Sequence, residues 1–486
     1  MKPMNGLDAA FLYGETPNWH MHVAAVTVCD PTNSVEQWTF QRFKEITTSR
    51  LALIPQFRCK VAQSPLGIGR PGWVLADDFD PDFHIRRIAV PSPGGPHELG
   101  ELVGDLASLK LDRSKPLWEM WVIEGLAGGR IGLLTKVHHA LIDGVSGAEL
   151  ATVLLDVSPI PKMVTDAPPI DPDYLSKPTA MGWIRGGAMV TLKTPLRTIA
   201  FTRQLARWGV TLPTFMRRDE GPAMPFQAPR TSLNSAISPH RRYAHSQIEL
   251  ERVRALKDAL GVKVNDIVLA LCSYALRGYL EERGELPETP LIAQVPVSQR
   301  GADEKDLGNK VASMFASLAT DVADPIERVH VIHASTQQAK EMQQALAARR
   351  IQTITEATPP GILSIAARTY TAMGLDGRVP PIFNVIMSNV PGPPFPLYVS
   401  GARVESITPM GPLLYGGGLN ITVLSHEDVI DFGFLSCREA VPDPWLIADK
   451  IEKAVSELEK AVAGLKAPKK KAPAKSVAAK KAAKAS

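Results

Sequence analysis

The feature that most constrains the fold is an alternation of strand-like and helix-like segments, which occurs both before and after a proline-rich interruption. Such alternation is typical of α/β proteins, in which helices cover a sheet. In the first half, it predicts strands at residues 22–28, 121–123 and 131–137, and a helix at 145–157. In the second half, it predicts helices at 250–260, 265–282, 325–350 and 444–465, and strands at 291–297, 383–387 and 419–424. We therefore expect an α/β (or α+β) fold with two similar lobes.

The interruption between the two halves spans residues 158–240 and contains six prolines between positions 159 and 178, which break regular elements. Residues 188–210 follow and are apolar, with four interspersed basic side chains. They fit either a basic amphipathic helix on a membrane surface or a crossover helix whose basic side faces water. The predicted organisation is a first lobe (1–157), a crossover linker (158–240), a second lobe (241–465) and a tail (466–486).

The net charge of +4 conceals an uneven distribution. Residues 466–486 contain eight lysines and no acidic residue, which leaves 46 basic against 50 acidic residues in the rest of the chain. A mildly acidic body does not favour specific nucleic-acid binding. The tail lacks the apolar side chains needed to offset ordering entropy, so we expect it to be disordered.

Cysteine spacing and apolar runs indicate a cytoplasmic protein. None of the four cysteines is in a CxxC spacing, so we expect free thiols in a reducing compartment. The N-terminus has no apolar signal segment, and no uncharged apolar run reaches eighteen residues.

The strongest chemical signal is a pair of histidines, His138 and His139, followed by Asp143 and Gly144. The pair comes directly after a predicted buried strand, and the glycine permits a tight turn before the next helix. Histidine can take and return a proton near neutral pH, which an alcohol needs when it attacks an acyl group. The alternatives are structural histidines or a zinc site. Zinc is disfavoured because adjacent histidines on a strand point to opposite faces and no third ligand is recognisable.

At this motif, the chain resembles the bacterial wax ester synthase/acyl-CoA:diacylglycerol acyltransferase family, of the mycobacterial triacylglycerol synthase type. The resemblance covers most of residues 5–465 and rests on short stretches in a fixed order. Besides the histidine motif, these stretches are 7–12 (LDAAFL), 21–23 (MHV), 57–58 (FR), 111–119 (LDRSKPLWE), 265–270 (NDIVLA), 296–298 (PVS), 308–309 (GN), 388–393 (SNVPGP) and 418–421 (GLNI). The chain departs from the family at residues 425–426, which read Ser-His instead of Ser-Tyr, and in its lysine-rich tail.

The resemblance implies two chloramphenicol-acetyltransferase-like lobes, related to condensation domains, with a substrate tunnel between them. It also implies that His139 is the general base and that His138 supports its orientation. Asp143 would be structural, with Arg58 as its candidate partner by analogy with the wider superfamily. Taken alone, Arg58 could equally be an ordinary surface residue.

The resemblance implies that Pro116, Leu117 and Trp118 shape a substrate channel and that Asn265 and Asp266 matter to activity. The residues themselves have simpler interpretations. Trp118 could be a core anchor, Asn265 a helix N-cap, and Asp266 a first-turn residue that favours the helix dipole.

The implied activity is transfer of a long-chain acyl group from acyl-CoA to diacylglycerol, which forms triacylglycerol. Alternatives are wax ester synthesis from long-chain alcohols, acylation of another hydroxyl-bearing lipid, and a lipid-binding paralogue without turnover. No metal or cofactor is expected beyond acyl-CoA as co-substrate. No Gly-x-Ser-x-Gly elbow occurs, so a serine acyl-enzyme is disfavoured. The expected partners are acyl-CoA, a lipid alcohol, and a membrane or lipid-inclusion surface bound peripherally.

Overall fold

The computed structural model describes residues 1–63, 71–142, 154–166, 168–176, 223, 225–298, 311–348, 380–414 and 416–466. The strands are β1 (Lys2–Pro3), β2 (His22–Asp30), β3 (Cys59–Ala62), β4 (Gly72–Leu75), β5 (Ile85–Ala89), β6 (Trp118–Glu124), β7 (Ile131–His138), β8 (Arg241–Glu249), β9 (Ile292–Ser298), β10 (Val311–Ser317), β11 (Val385–Pro391), β12 (Tyr398–Val399), β13 (Ala402–Met410), β14 (Leu419–His426) and β15 (Val429–Cys437). The helices are α1 (Gly6–Gly14), α2 (Phe40–Arg50), α3 (Pro81–His84), α4 (Pro96–Ser108), α5 (His139–Ile142), α6 (Pro172–Leu175), α7 (Leu250–Leu260), α8 (Val264–Glu282), α9 (Pro325–Ala348), α10 (Trp445–Ala448) and α11 (Lys450–Lys466).

The first lobe is built around a six-stranded sheet in the order β12-β13-β2-β7-β6-β5. Strands β2, β7 and β6 are antiparallel neighbours, and β5 pairs in parallel with β6. Strand β13 comes from the second half of the sequence but pairs along β2, from Arg403 opposite Asp30 to Met410 opposite Ala24. The first sheet is therefore completed by residues that lie more than 370 positions later in the chain.

The second lobe is built around another six-stranded sheet, in the order β10-β9-β11-β14-β15-β8. Helices α7, α8, α9 and α11 pack together beside it and form the largest hydrophobic core. Helix α8 is buried along most of its length because its apolar residues are not confined to one face. The predicted α/β architecture with two lobes is confirmed.

The two lobes meet where α4 packs against β8. Gly100 and Gly104, four residues apart on α4, face the backbone of β8. A Cβ on Gly100 would lie 2.9 Å from the Tyr243 carbonyl oxygen, and one on Gly104 would lie 3.0 Å from the Arg241 carbonyl oxygen. The absence of side chains at these two positions lets the helix backbone approach the strand directly.

A second junction joins β13 of the first sheet to β15 of the second. Gly433 on β15 lies against Pro409 on β13, and a Cβ at position 433 would come within 2.1 Å of the Pro409 carbonyl oxygen. Beside it, the buried carboxylate of Asp431 accepts hydrogen bonds from the Ile407 backbone N–H (2.7 Å) and His426 Nε2 (2.9 Å). The junction thus combines close backbone packing with a buried polar bridge.

Several predictions fall on residues outside those described. They are the N-terminal part of the helix predicted at 145–157, the basic segment 188–210 and the tail beyond residue 466. The four cysteines are buried free thiols, as predicted. Among the described residues, no single helix has the length and apolar character to cross a membrane. Only α7 and α8 taken together do, and they are bent by 105°.

Candidate active site

The histidine pair lies at the boundary between a strand and a helix. His138 is the last residue of β7, and His139 is the first residue of the short helix α5. Backbone hydrogen bonds hold both residues, since the His138 N–H donates to the Leu117 carbonyl (2.9 Å) and the His139 N–H donates to the Met21 carbonyl (2.7 Å). The two side chains therefore start from a rigid backbone, which favours a fixed geometry at a reacting centre.

His138 is buried, with 2% of its surface exposed. Its Nδ1 accepts a hydrogen bond from the Ala140 backbone N–H at 3.1 Å, so in the neutral ring the proton is on Nε2. Burial lowers the pKa of His138 to about 3, with smaller contributions from His139, Arg113 and Lys110. Neither ring nitrogen of His138 is then available to take a proton from a substrate.

His139 is half-buried, and its ring lies against Phe11 of α1, with centroids 4.2 Å apart and planes inclined by 36°. It is thus the more accessible member of the pair. Because a general base must reach the proton that it removes, the arrangement favours His139 over His138 for that role.

Helix α1 approaches the pair from one side. It begins after Asn5, whose side chain accepts a hydrogen bond from the Asp8 N–H (2.7 Å), as expected of a good N-cap residue. It ends at Glu15, whose buried carboxylate lies 2.9 Å from Lys110 Nζ and 3.8 Å from His138 Nε2. Glu15 is not among the site residues that the sequence predicts. The LDAAFL stretch that precedes it was the available signal.

A group of buried basic side chains lies along the same region of the lobe. His22 is opposite His138 in the β2–β7 ladder, and its Nε2 donates to the Ala107 carbonyl at 3.1 Å. Burial, followed by the charge of Lys136, lowers the pKa of His22 well below its usual value. Lys136 donates to the carbonyls of Leu106 (3.1 Å) and Leu109 (2.9 Å) and therefore anchors the C-terminal end of α4.

The predicted channel residues lie at the start of β6, next to the end of β7 that carries the histidine pair, and they are buried in the core of the lobe. Leu117 provides the carbonyl that accepts from His138, and both Leu117 and Trp118 are fully buried. The Trp118 indole N–H donates to the Phe57 carbonyl (2.7 Å), and its ring stacks on His84 with centroids 4.4 Å apart. Trp118 is thus a core anchor. A channel formed by Pro116, Leu117 and Trp118 stays a prediction.

Asn265 and Asp266 lie in the first turn of α8, in the second lobe. The prediction that Asn265 is the N-cap is wrong, because the chain leaves its extended conformation at Lys263, two residues earlier. Asp266 does cap the helix, since its carboxylate accepts from the Lys263 N–H at 3.1 Å. The same carboxylate contacts His333 Nδ1 (2.6 Å) and Thr336 Oγ1 (2.9 Å) and so links α8 to α9.

Asn265 also contacts another stretch of the family resemblance. Its Oδ1 accepts a hydrogen bond from Asn389 Nδ2 at 3.4 Å, within the SNVPGP segment. The structure thus brings together two stretches that are more than 120 residues apart in sequence. A contribution of these two stretches to activity stays a prediction.

The predicted pairing of Arg58 with Asp143 stays a prediction, because Asp143 and Gly144 lie outside the described residues. Arg58 ends a short 3-10 helix, and its guanidinium carbon lies 5.9 Å from the centre of the Phe79 ring. Within the described ranges, no three histidine, cysteine, aspartate or glutamate residues are grouped so that they could hold a metal ion.

The chain is similar to known proteins over most of its length. Residues 4–268 match the wax ester synthase/diacylglycerol acyltransferase catalytic domain, and residues 307–459 match the C-terminal domain of the same family. The probable diacylglycerol O-acyltransferase tgs2 of Mycobacterium tuberculosis is 37% identical over 465 residues, which are 94% of this chain and 98% of that protein.

Solved structures agree with this result. A wax ester synthase/diacylglycerol acyltransferase from Marinobacter aquaeolei VT8 matches with a TM-score of 0.70 and 31% identity, over 95% of this chain and 100% of that chain. The first condensation domain of the calcium-dependent antibiotic synthetase has the same fold at 15% identity, with a TM-score of 0.53 over 95% and 96% of the two chains. The fold expected from the resemblance is thus confirmed, and the chain belongs to the wax ester synthase/diacylglycerol acyltransferase family.

Proposed function

We propose that the protein transfers a long-chain fatty acyl group from acyl-CoA to diacylglycerol, with His139 as the general base. The observation that carries the proposal is the different state of the two histidines at the end of β7. His138 is buried and has its Nδ1 occupied by the Ala140 N–H, whereas His139 is half-buried against Phe11. Membership of an acyltransferase family supports the same chemistry.

The proposed reaction takes place in one complex that contains both substrates. His139 removes the proton of the acceptor hydroxyl while the oxygen attacks the thioester carbonyl, and a tetrahedral oxyanion forms. Collapse of the oxyanion breaks the C–S bond, forms the ester and releases the thiolate of CoA, which recovers the proton from His139. Base catalysis of this kind typically contributes about a hundredfold to ten-thousandfold in rate. The proposal includes acyl-CoA as co-substrate and no step that uses a metal or cofactor.

Two alternatives concern the acceptor. The name of the Mycobacterium tuberculosis relative specifies diacylglycerol, whereas the name of the Marinobacter aquaeolei protein includes wax ester synthesis. A fatty alcohol is therefore the second candidate acceptor, and another hydroxyl-bearing lipid is a third. A lipid-binding paralogue without turnover is the non-enzymatic alternative, and the intact histidine pair disfavours it.

A competition assay identifies the acceptor. We expect the purified protein to convert labelled palmitoyl-CoA and dioleoylglycerol to triacylglycerol, and to form wax ester more slowly from hexadecanol at equal concentration. The products are separated by thin-layer chromatography, and free CoA is measured in parallel as a control for thioester hydrolysis. Faster formation of wax ester would reverse the order of the acceptors. Failure to form either product would contradict the assignment to diacylglycerol and fatty alcohol.

We further propose that the protein is cytoplasmic and binds peripherally to an anionic membrane or lipid inclusion, with the lysine-rich tail as an accessory. Eight lysines between residues 466 and 486 provide the charge, and each lysine near an anionic bilayer contributes about 1 kcal/mol.

Deletion of residues 467–486 tests the role of the tail. We expect at least a tenfold loss of partitioning onto phosphatidylserine-containing vesicles at low salt, because most of the basic charge is removed. The difference should shrink at high salt, where such attraction is screened. Neutral phosphatidylcholine vesicles are the control. Equal partitioning of both proteins at low salt would exclude a role for the tail in binding.

A further inference from the structure

Helix α1 contacts both members of the histidine pair. Phe11 and Glu15 are four residues apart, so they lie on the same side of the helix end. The Phe11 ring lies 4.2 Å from the His139 ring, centroid to centroid, and the Glu15 carboxylate faces the Nε2 side of His138 at 3.8 Å. Contacts between α1 and α5, the helix that begins at His139, extend this packing.

The contact between Glu15 and His138 joins two buried atoms that need partners. His138 Nε2 and Glu15 Oε2 are both buried, and within the described part of the chain neither has a hydrogen-bond partner. Leaving a buried polar atom unsatisfied is costly, and the 3.8 Å gap exceeds a hydrogen bond by less than 1 Å. Because Nδ1 is occupied by the Ala140 N–H, Nε2 carries the proton, and a carboxylate oxygen that can accept a hydrogen bond lies 3.8 Å away.

Two basic side chains neutralise the charge of the buried Glu15 carboxylate. Lys110 Nζ contacts the other carboxylate oxygen at 2.9 Å, and Arg113 Nε lies 3.8 Å from the oxygen that faces His138. A buried carboxylate is tolerated when it is paired in this way. Lys110 and Arg113 follow α4, so the ion pairs also connect the end of α1 to the segment after α4.

We propose that α1 holds the histidine pair in its working geometry. Glu15 accepts a hydrogen bond from the Nε2–H of His138, and Phe11 packs against the ring of His139. Both are positioning residues, since neither needs to touch the substrate. The inference rests on the proposed function in one respect, which is that His139 is the base.

Loss of this support should lower kcat more than it raises KM. A misplacement of the base by about 1 Å can cost on the order of a hundredfold in rate. We expect Glu15→Ala to lower kcat by roughly tenfold to a hundredfold, with less than a threefold change in the KM for acyl-CoA. Glu15→Gln should retain more activity than Glu15→Ala, because its amide oxygen can still accept from His138. Phe11→Leu should also lower kcat, because leucine fills space without the flat surface of a ring.

Matched variants separate positioning from general loss of stability. Glu119→Gln removes another buried glutamate of the first lobe, which has Arg86 and Lys136 as its cationic partners. Phe83→Leu removes the ring from another phenylalanine–histidine contact, with His84 at 5.1 Å. Both controls should keep kcat within about threefold of the wild type, a margin far below the effect of a misplaced base.

Combination with His138→Ala provides the decisive kinetic test. If Glu15 acts through His138, Glu15→Ala should cause no further loss of kcat in the His138→Ala background, since coupled residues are not additive. Independent multiplication of the two losses would overturn the proposal for Glu15. Equal loss of kcat in Phe11→Leu and Phe83→Leu would overturn it for Phe11.

A spectroscopic readout does not require turnover. In histidine-labelled protein, with signals assigned by comparison with His138→Ala, His138 should carry its proton on Nε2. That proton should exchange slowly with water in the wild type and in Glu119→Gln, but quickly in Glu15→Ala. Slow exchange in all three proteins would overturn the contact with Glu15. If this pattern is found but no acyl transfer is detected, the contact between Glu15 and His138 stands and the proposed function fails.

Discussion

Replacing His139 with alanine is expected to lower kcat for acyl transfer by roughly a hundredfold to ten-thousandfold, the range typical for loss of a general base. The acceptor hydroxyl would then lose its proton only to water, which is a much weaker and unpositioned base. Binding of acyl-CoA should change little, because the thioester does not depend on the base before attack. The loss should therefore appear in kcat, measured as initial rates at saturating concentrations of both substrates.

The matching control for this variant is His330→Ala. His330 is exposed on α9 in the second lobe, so its removal tests for a general effect of losing a histidine. We expect His330→Ala to keep the wild-type rate, and both variants to keep the wild-type circular dichroism spectrum. If folded His139→Ala retained more than a third of the wild-type kcat, His139 would not be the base and the proposed mechanism would fall.

Replacing Gly433 with valine is expected to cause the largest loss of stability, at or above the upper end of the ~1–3 kcal/mol typical for overpacking. Any Cβ at this position would come within 2.1 Å of the Pro409 carbonyl oxygen. Both groups belong to backbones within sheets, so neither can move aside as a flexible side chain does. Relief requires β13 and β15 to separate, which would also strain the hydrogen bond from the Ile407 N–H to Asp431.

Thermal unfolding followed by circular dichroism measures this effect, with Gly464→Ala as the matched glycine control. A Cβ on Gly464 would meet no atom within 4 Å, and alanine favours the helix in which this residue lies. The midpoint should fall by several degrees for Gly433→Val and should not fall for Gly464→Ala. An unchanged midpoint for Gly433→Val would mean that the two sheets are not held together at this contact.

Local patterns predicted the strand that carries the histidine pair and helices of the second lobe. The strand predicted at 131–137 is β7 (Ile131–His138), and the helix predicted at 250–260 is α7 (Leu250–Leu260). These elements have apolar periodicity and clear end signals, such as the left-handed Gly261 that ends α7. Their identification needed no knowledge of distant parts of the chain.

Local patterns could not predict contacts between residues that are far apart in the sequence. The pairing of β13 with β2 and the approach of α4 to β8 depend on residues that are more than 130 positions apart. Glu15 was not predicted for the same reason. A glutamate at the end of a short helix is usually solvated, and only the folded chain brings Lys110 and His138 close to it. The residue type of Asn265 favours an N-cap, which was its simpler interpretation, but Asp266 performs the capping from inside the helix.

The place of β13 in the first sheet has a consequence for how the protein is made. A ribosome synthesises β2 and β7 long before residues 402–410, so the nascent first lobe has β2 as an open edge strand for most of translation. Open edges with unpaired backbone groups favour association between chains. The first sheet therefore reaches its final form only after residues 402–410 have been synthesised, and until then β2 presents an unpaired edge.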